Sequence, residues 1–178
     1  SRGPIYYPPD VVKQWVKSWQ RIPIPVNHPA KDGNPISVND EDGDQKVIGE
    51  LKTSSFGDRH SGEAWFDVQK TRQISPEVLN ALDRGEPIEV STGVFTNETP
   101  AGPGYKDHKG NPWTGLVART YKPDHLAVLL GQRGACSVAD GCGVFNSSNL
   151  TTNSLLADVL SALGVNYNPD QQRDEQGR

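Results

Sequence analysis

Residues 87–96 read Pro87-Ile88-Glu89-Val90-Ser91-Thr92-Gly93-Val94-Phe95-Thr96, a β-branched and aromatic run that predicts a strand. Downstream, Gly115–Tyr121 and His125–Leu130 predict the last two core strands. The glycine-rich excursion from Thr99 to Trp113 cannot be regular structure. Upstream, Lys46–Thr53 and Glu63–Lys70 predict two more strands, separated by the hydrophilic turn Phe56-Gly57-Asp58-Arg59-His60. Arg21-Ile22-Pro23-Ile24-Pro25-Val26 must be extended, because residues before proline avoid the helical region, and it predicts an edge strand leading into Asn27-His28-Pro29. Two helices frame these strands. One opens at Pro8-Pro9-Asp10 and runs to about Gln20, with Val11, Val12, Trp15, Val16 and Trp19 on one face. The other has Ser75 as N-cap, Pro76 in its first turn, Val78, Leu79 and Leu82 on one face, and Gly85 as its stop. Strands outnumber helices and never fall into βαβ order. The expected fold is therefore mainly β: an antiparallel sheet closed into a β-barrel with flanking helices, α+β in class.

Residues 1–145 are expected to form this barrel domain, 146–164 a linker and C-terminal helix, and 165–178 a polar, disordered tail. In that helix Asn153 is the cap, and Leu155, Leu156, Val159, Leu160 and Leu163 are the apolar residues before Gly164. Their surface suits a partner copy or the core equally. Residues 31–45 are polar and turn-rich and read as a mobile loop. A chain of 178 residues, 34% hydrophobic, can bury one core, and its 18 glycines and 14 prolines favour short elements over a helix bundle. The longest apolar run, Leu126 to Leu130, is too short for a transmembrane helix, and no signal-peptide pattern opens the sequence. A net charge of −4 without a basic block argues against a nucleic-acid or anionic-membrane binder. Cys136 and Cys142 can build neither a disulfide framework nor a four-ligand zinc site, so they are expected to be reduced, in a reducing compartment. The sequence opens on Ser1 and contains no methionine, which reads as a processed piece of something longer.

Few residues stand out as chemistry. His60 and His108 lie in hydrophilic turns and read as exposed loop histidines. His28 and His125 differ, since each follows a proline-containing approach beside an apolar strand, although a lone histidine there is more often structural. Ser91 sits in a β-branched strand two residues before Gly93, where the missing side chain lets another group approach. It is not the strand-to-helix elbow of the α/β-hydrolases, because position 89 is Glu. Glu63, Asp67 and Glu89 have no spacing that singles out an acid–base pair. A zinc site from His28, His125 and a carboxylate is conceivable, but the sequence has no HExxH and no paired-cysteine knuckle. Gly102-Pro103-Gly104 lacks the lysine of a phosphate loop. Gly131-Gln132-Arg133-Gly134, a turn directly after the His125 strand, offers backbone N–H groups and a guanidinium to an anion.

Several segments together resemble the phage and prophage prohead-protease-like proteins, a family long catalogued as uncharacterised. They are the run from Ser1 to Pro9, Ile24 to Ala30, Glu89 to Phe95, Pro123 to Leu129 and Gly134 to Gly141, so the resemblance spans roughly residues 1 to 143. A more distant resemblance is to the herpesvirus assemblin proteases. These carry a His-Ser-His triad in that chain order on a β-barrel, with an apolar strand and an arginine-containing turn after the second histidine. His125-Leu126-Ala127-Val128-Leu129 followed by Arg133 is similar, and His28, Ser91 and His125 occur in the same order. Gln132 and Gly134 stand where assemblins have consecutive arginine neighbours, so Gln132, Arg133 and Gly134 are all candidates for the oxyanion hole.

The resemblance implies a capsid-maturation serine endopeptidase with His28, Ser91 and His125 as its catalytic residues and no cofactor. Its substrates would be scaffold and major capsid proteins, and also itself, inside a prohead in the host bacterial cytoplasm. Neither nucleic acid nor membrane is an expected partner; a homodimer is. The alternative expectation is a non-catalytic phage head component, structural or scaffolding, that retains the protease fold.

Overall fold

The structure, a computed structural model, describes residues 5–57 and 59–145. In chain order its elements are β1 (Ile5–Tyr6), α1 (Pro9–Trp15, continued by a 3-10 turn over Val16–Trp19), β2 (Ile22–Pro25), β3 (Ala30–Lys31), β4 (Asn34–Pro35) and β5 (Val47–Leu51). Next come β6 (Ser55–Phe56), β7 (His60–Ser61), β8 (Ala64–Phe66), α2 (Val68–Ile74) and α3 (Pro76–Asp83). The last are β9 (Glu89–Phe95), β10 (Glu98–Pro100), β11 (Leu116–Ala118) and β12 (Lys122–Leu129). The fold is strand-rich α+β. The expected C-terminal helix with Leu155, Leu156, Val159 and Leu163, and the polar tail, lie outside the described residues.

Two ladders matter for the site. β9 and β12 pair antiparallel, with Gly93 opposite His125 and Ser91 opposite Ala127. β2, β5 and β8 form an antiparallel sheet in that order. Even-numbered residues at the end of β2 turn their N–H groups to β5, as Val26 N does to Lys46 O at 2.9 Å. Odd-numbered residues face β12, and there Pro23 and Pro25 have no N–H to give. The first odd-numbered residue able to donate is Asn27, whose N–H reaches Val128 O at 2.8 Å beside a single parallel bridge, Val26 to Val128. One bridge, not a ladder, therefore joins the two sheets.

Closure into a barrel is not found among the described residues. β1, β11 and β10 form a separate three-stranded sheet, and β3–β4 and β6–β7 are two-residue hairpins. Prolines on the seam and very short strands leave too few donors for a continuous circuit. A second correction concerns Glu63–Lys70. The strand stops at Phe66 because Asp67 caps a helix instead, its Oδ1 accepting from Lys70 N at 2.9 Å.

The core lies where the sheets meet. Ile24, Val26, Ile48, Val78, Ile88 and Val128 form one buried cluster, with Val78 supplied by α3. Val11 and Trp19 from the first helical segment close a second with Leu51 and Tyr121. Each fully buried valine or isoleucine contributes about 1.5–3 kcal/mol. This packing fixes β2 against β12 where hydrogen bonds do not.

Candidate active site

The register of β12 is broken once, between Pro123 and His125, so Asp124 is the extra residue of a β-bulge. A bulge bends a strand and re-aims its side chains. Consecutive strand residues normally point to opposite faces, yet here Asp124 Oδ2 lies 2.7 Å from His125 Nδ1. Both side chains are buried. Asp124 Oδ2 also accepts from Val38 N at 2.9 Å; its Oδ1 accepts from Ser37 Oγ and, at 3.2 Å, from Asn39 Nδ2.

Gly93 gives the His125 ring its place. A Cβ at position 93 would overlap the imidazole, 2.5 Å from both ring nitrogens and closer still to Cε1. The absent side chain beside Ser91 thus admits an imidazole from the neighbouring strand. His28 comes from the other sheet. At the end of β2 the chain turns through Asn27 in the left-handed region, φ 61°, which asparagine tolerates better than most residues. That turn brings His28 Nδ1 to 2.7 Å from His125 Nε2, with the rings edge to face and their centroids 5.0 Å apart.

Ser91 lies two residues from Gly93 and so shares its face of β9, while His125 and Ala127 share the facing side of β12. Ser91 and His125 are diagonal neighbours across the ladder, a relation that places Cβ atoms within about 7–8 Å. No hydrogen bond joins the Ser91 hydroxyl to either imidazole among the described residues. Two of the three expected residues, His28 and His125, are therefore in contact, and the third stands on the same face without touching them. The contribution of Asp124 was not foreseen. Its only sequence signal is its place directly before His125.

The oxyanion candidates lie in the loop after β12. Gly134 N already donates to Glu89 Oε2 at 3.1 Å, and the glycine packs on the Val90 carbonyl. The Arg133 guanidinium is 73% exposed and donates to Ser137 Oγ at 3.0 Å. Gln132 is exposed. Gly134 N–H is thus committed elsewhere, and the backbone N–H groups of Gln132 and Arg133 are the donors left to an incoming anion. The second Glu89 oxygen accepts from Val138 N at 3.1 Å, so this carboxylate ties the loop to β9.

Arg59 holds the same loop through Asp140 O at 2.6 Å, and Ser137 and Asp140 cap each other. The cysteines correct the expectation of reduced thiols. Cys136 and Cys142 are joined in a disulfide with their Cα atoms 5.6 Å apart, because Gly141 turns the chain back at φ 82°. Reducing this bond is expected to lower stability by about 2 kcal/mol from loop-closure entropy. Thermal melts with and without reductant measure it, and a Cys136→Ser/Cys142→Ser variant should melt at the reduced temperature in both.

Two clefts border these residues. One, about 360 Å³, is lined by His28, Lys31, Asp32, Asp42 and Lys46 among others. The other, about 420 Å³, runs along Ile88, Glu89, Leu129, Leu130, Gln132 and Arg133. Elsewhere His108 is exposed, as expected, and meets the Tyr6 hydroxyl at 3.0 Å. His60 is not the open loop residue expected. It is partly buried edge-on against Trp19, with Ser54 Oγ 2.7 Å from its Nε2. No group of three or more His, Cys, Asp or Glu side chains converges as a metal site among the described residues, and no helix among them is long and apolar enough to cross a membrane.

The electrostatics favour a neutral His28 and an ionised Asp124. Desolvation, reinforced by the nearby His125, lowers the pKa of His28, and burial lowers that of His60. Burial alone would raise Asp124, but hydrogen bonds from Ser37, Val38 and His125 and the attraction of His125 outweigh it and hold the carboxyl below its ordinary value. Both histidines bind a proton more readily in the unfolded chain, where the ordinary value is 6.5. The stability they confer is therefore complete above pH 6.5 and is lost as pH falls through the lower folded values. Denaturant midpoints between pH 8 and 5 should fall with acidification, and fall less in a His60→Gln variant.

No protein-family model, no curated protein and no solved structure matches this chain.

Proposed function

We propose that the chain is a serine endopeptidase of phage prohead maturation, cleaving scaffold and major capsid proteins. The observation that carries this reading is the 2.7 Å contact between His28 and His125 on the strand face that also bears Ser91. Ser91 Oγ attacks the scissile carbonyl carbon, and His28 takes its proton through Nε2, then returns it to the leaving amine. His125 orients His28 from behind. The turn at Gln132 and Arg133 donates to the oxyanion, each lost donor of this kind costing about 3–4 kcal/mol in the transition state. On this reading the ladders joined at Val26 and Val128 are the described part of an assemblin-like arrangement, and the enzyme works as a homodimer inside the assembling shell.

The test is cleavage of co-expressed scaffold and capsid proteins from a tailed phage, followed by mass, with wild type and Ser91→Ala compared. Cleavage by wild type alone supports the reading; equal cleavage by both removes Ser91 as nucleophile. One observation favours the second reading, a non-catalytic head component that keeps the fold: Ser91 has no hydrogen bond to His28. That reading requires binding to head proteins without turnover by wild type.

A further inference from the structure

We propose that Asp124 is a positioning residue that extends the Ser91, His28, His125 order into a four-membered relay, terminated by the turn over Ser37–Asn39. The assignment rests on the endopeptidase reading and adds to it a buried carboxylate that the His-Ser-His pattern lacks. The direction of every hydrogen bond follows from this one end. An ionised carboxylate only accepts, so His125 Nδ1 must be the donor in the 2.7 Å contact with Asp124. A neutral His125 then has a lone pair on Nε2, and His28 Nδ1 must donate to it across the other 2.7 Å contact. His28 Nε2 is left with its lone pair free, which is the form needed to accept the Ser91 proton.

Asp124 itself is held rather than loosely placed. Val38 N, Ser37 Oγ and Asn39 Nδ2 all donate to it, and the Ser37 N–H in turn donates to Asp40 Oδ2 at 2.8 Å, fixing the turn. The bulge at Asp124 is what lets carboxylate and ring meet from adjacent positions. When His28 takes a proton, the positive charge is spread toward a buried anion two rings away. A second imidazole no longer has to bear it unaided.

Asp124→Asn tests the assignment, because an amide keeps the size and can reverse the ring's tautomer. Turnover on a peptide substrate is expected to fall by about 10²–10⁴-fold with KM changed less than about twofold. In ¹⁵N spectra of the wild-type protein the His125 proton should sit on Nδ1, and in Asp124→Asn it should shift toward Nε2. A purely structural Asp124 would move the melting temperature but neither the tautomer nor the ratio of kcat to KM. If the variant fails to fold, the wild-type spectrum still decides, since a proton on His125 Nε2 overturns the proposal. Labelling by a fluorophosphonate separates the two levels. An unlabelled Ser91 in wild type strikes the endopeptidase reading, whereas equal labelling rates in wild type and Asp124→Asn strike this assignment alone.

Discussion

Replacing Ser91 with alanine is expected to lower peptide-bond cleavage by about 10⁴–10⁶-fold, the usual consequence of removing a nucleophile whose partners remain in place. What survives is the smaller acceleration from binding and oxyanion donors. The substitution should leave the fold alone. The hydroxyl makes no hydrogen bond to the histidines, the position is half-buried, and alanine faces alanine across the ladder at Ala127. The stability change should stay within about 1 kcal/mol. A thermal melt beside the cleavage assay therefore separates loss of chemistry from loss of structure. Unchanged melting with abolished cleavage is the expected pair.

Gly93→Ala is expected to do the opposite, harming chemistry through packing. The new methyl overlaps the buried His125 ring. That ring is held at both nitrogens, by Asp124 and by His28, and has no free end to swing away. Overpacking of this kind costs about 1–3 kcal/mol, and relief requires breaking one of the two 2.7 Å contacts. Cleavage should drop by about 10²-fold or more, the scale of loss for a displaced reacting group. A Gly93→Ala/His125→Ala double variant supplies the control. Its stability loss should be smaller than the sum of the losses in Gly93→Ala and His125→Ala, because the methyl then has no ring to overlap, and unaltered activity in Gly93→Ala would remove His125 from the site.

The parts of this arrangement legible in the sequence are those written locally. The β-branched run at Glu89–Phe95 and the apolar run after His125 announce β9 and β12, and Ser75-Pro76 announces α3. Helix α2 is hidden because Trp65-Phe66-Asp67-Val68 reads as a strand, and the cap at Asp67 is short-range information that periodicity outweighs. Pro23 and Pro25 marked β2 as extended, but what they prevent, a ladder with β12, depends on a neighbour a hundred residues away. From residue pattern alone His28 and His125 stand out only as unusual histidines, and it is the resemblance to the assemblins that pairs them. Their contact needs the bridge at Val26 and Val128 and the left-handed turn at Asn27. Asp124 was invisible for a sharper reason: an alternating strand would send it away from His125, and only the bulge reverses that. The disulfide likewise depends on a glycine turn that composition does not reveal.

The central claim is that Ser91 is a nucleophile activated by His28. The most direct test is reaction of the intact protein with a fluorophosphonate, followed by peptide mapping. The expected result is a single adduct on Ser91, formed by wild type and strongly slowed in His28→Ala. The structure also supplies an internal rival, Ser54, 2.7 Å from His60. An adduct on Ser54, or a Ser91 adduct formed equally fast without His28, would contradict the account.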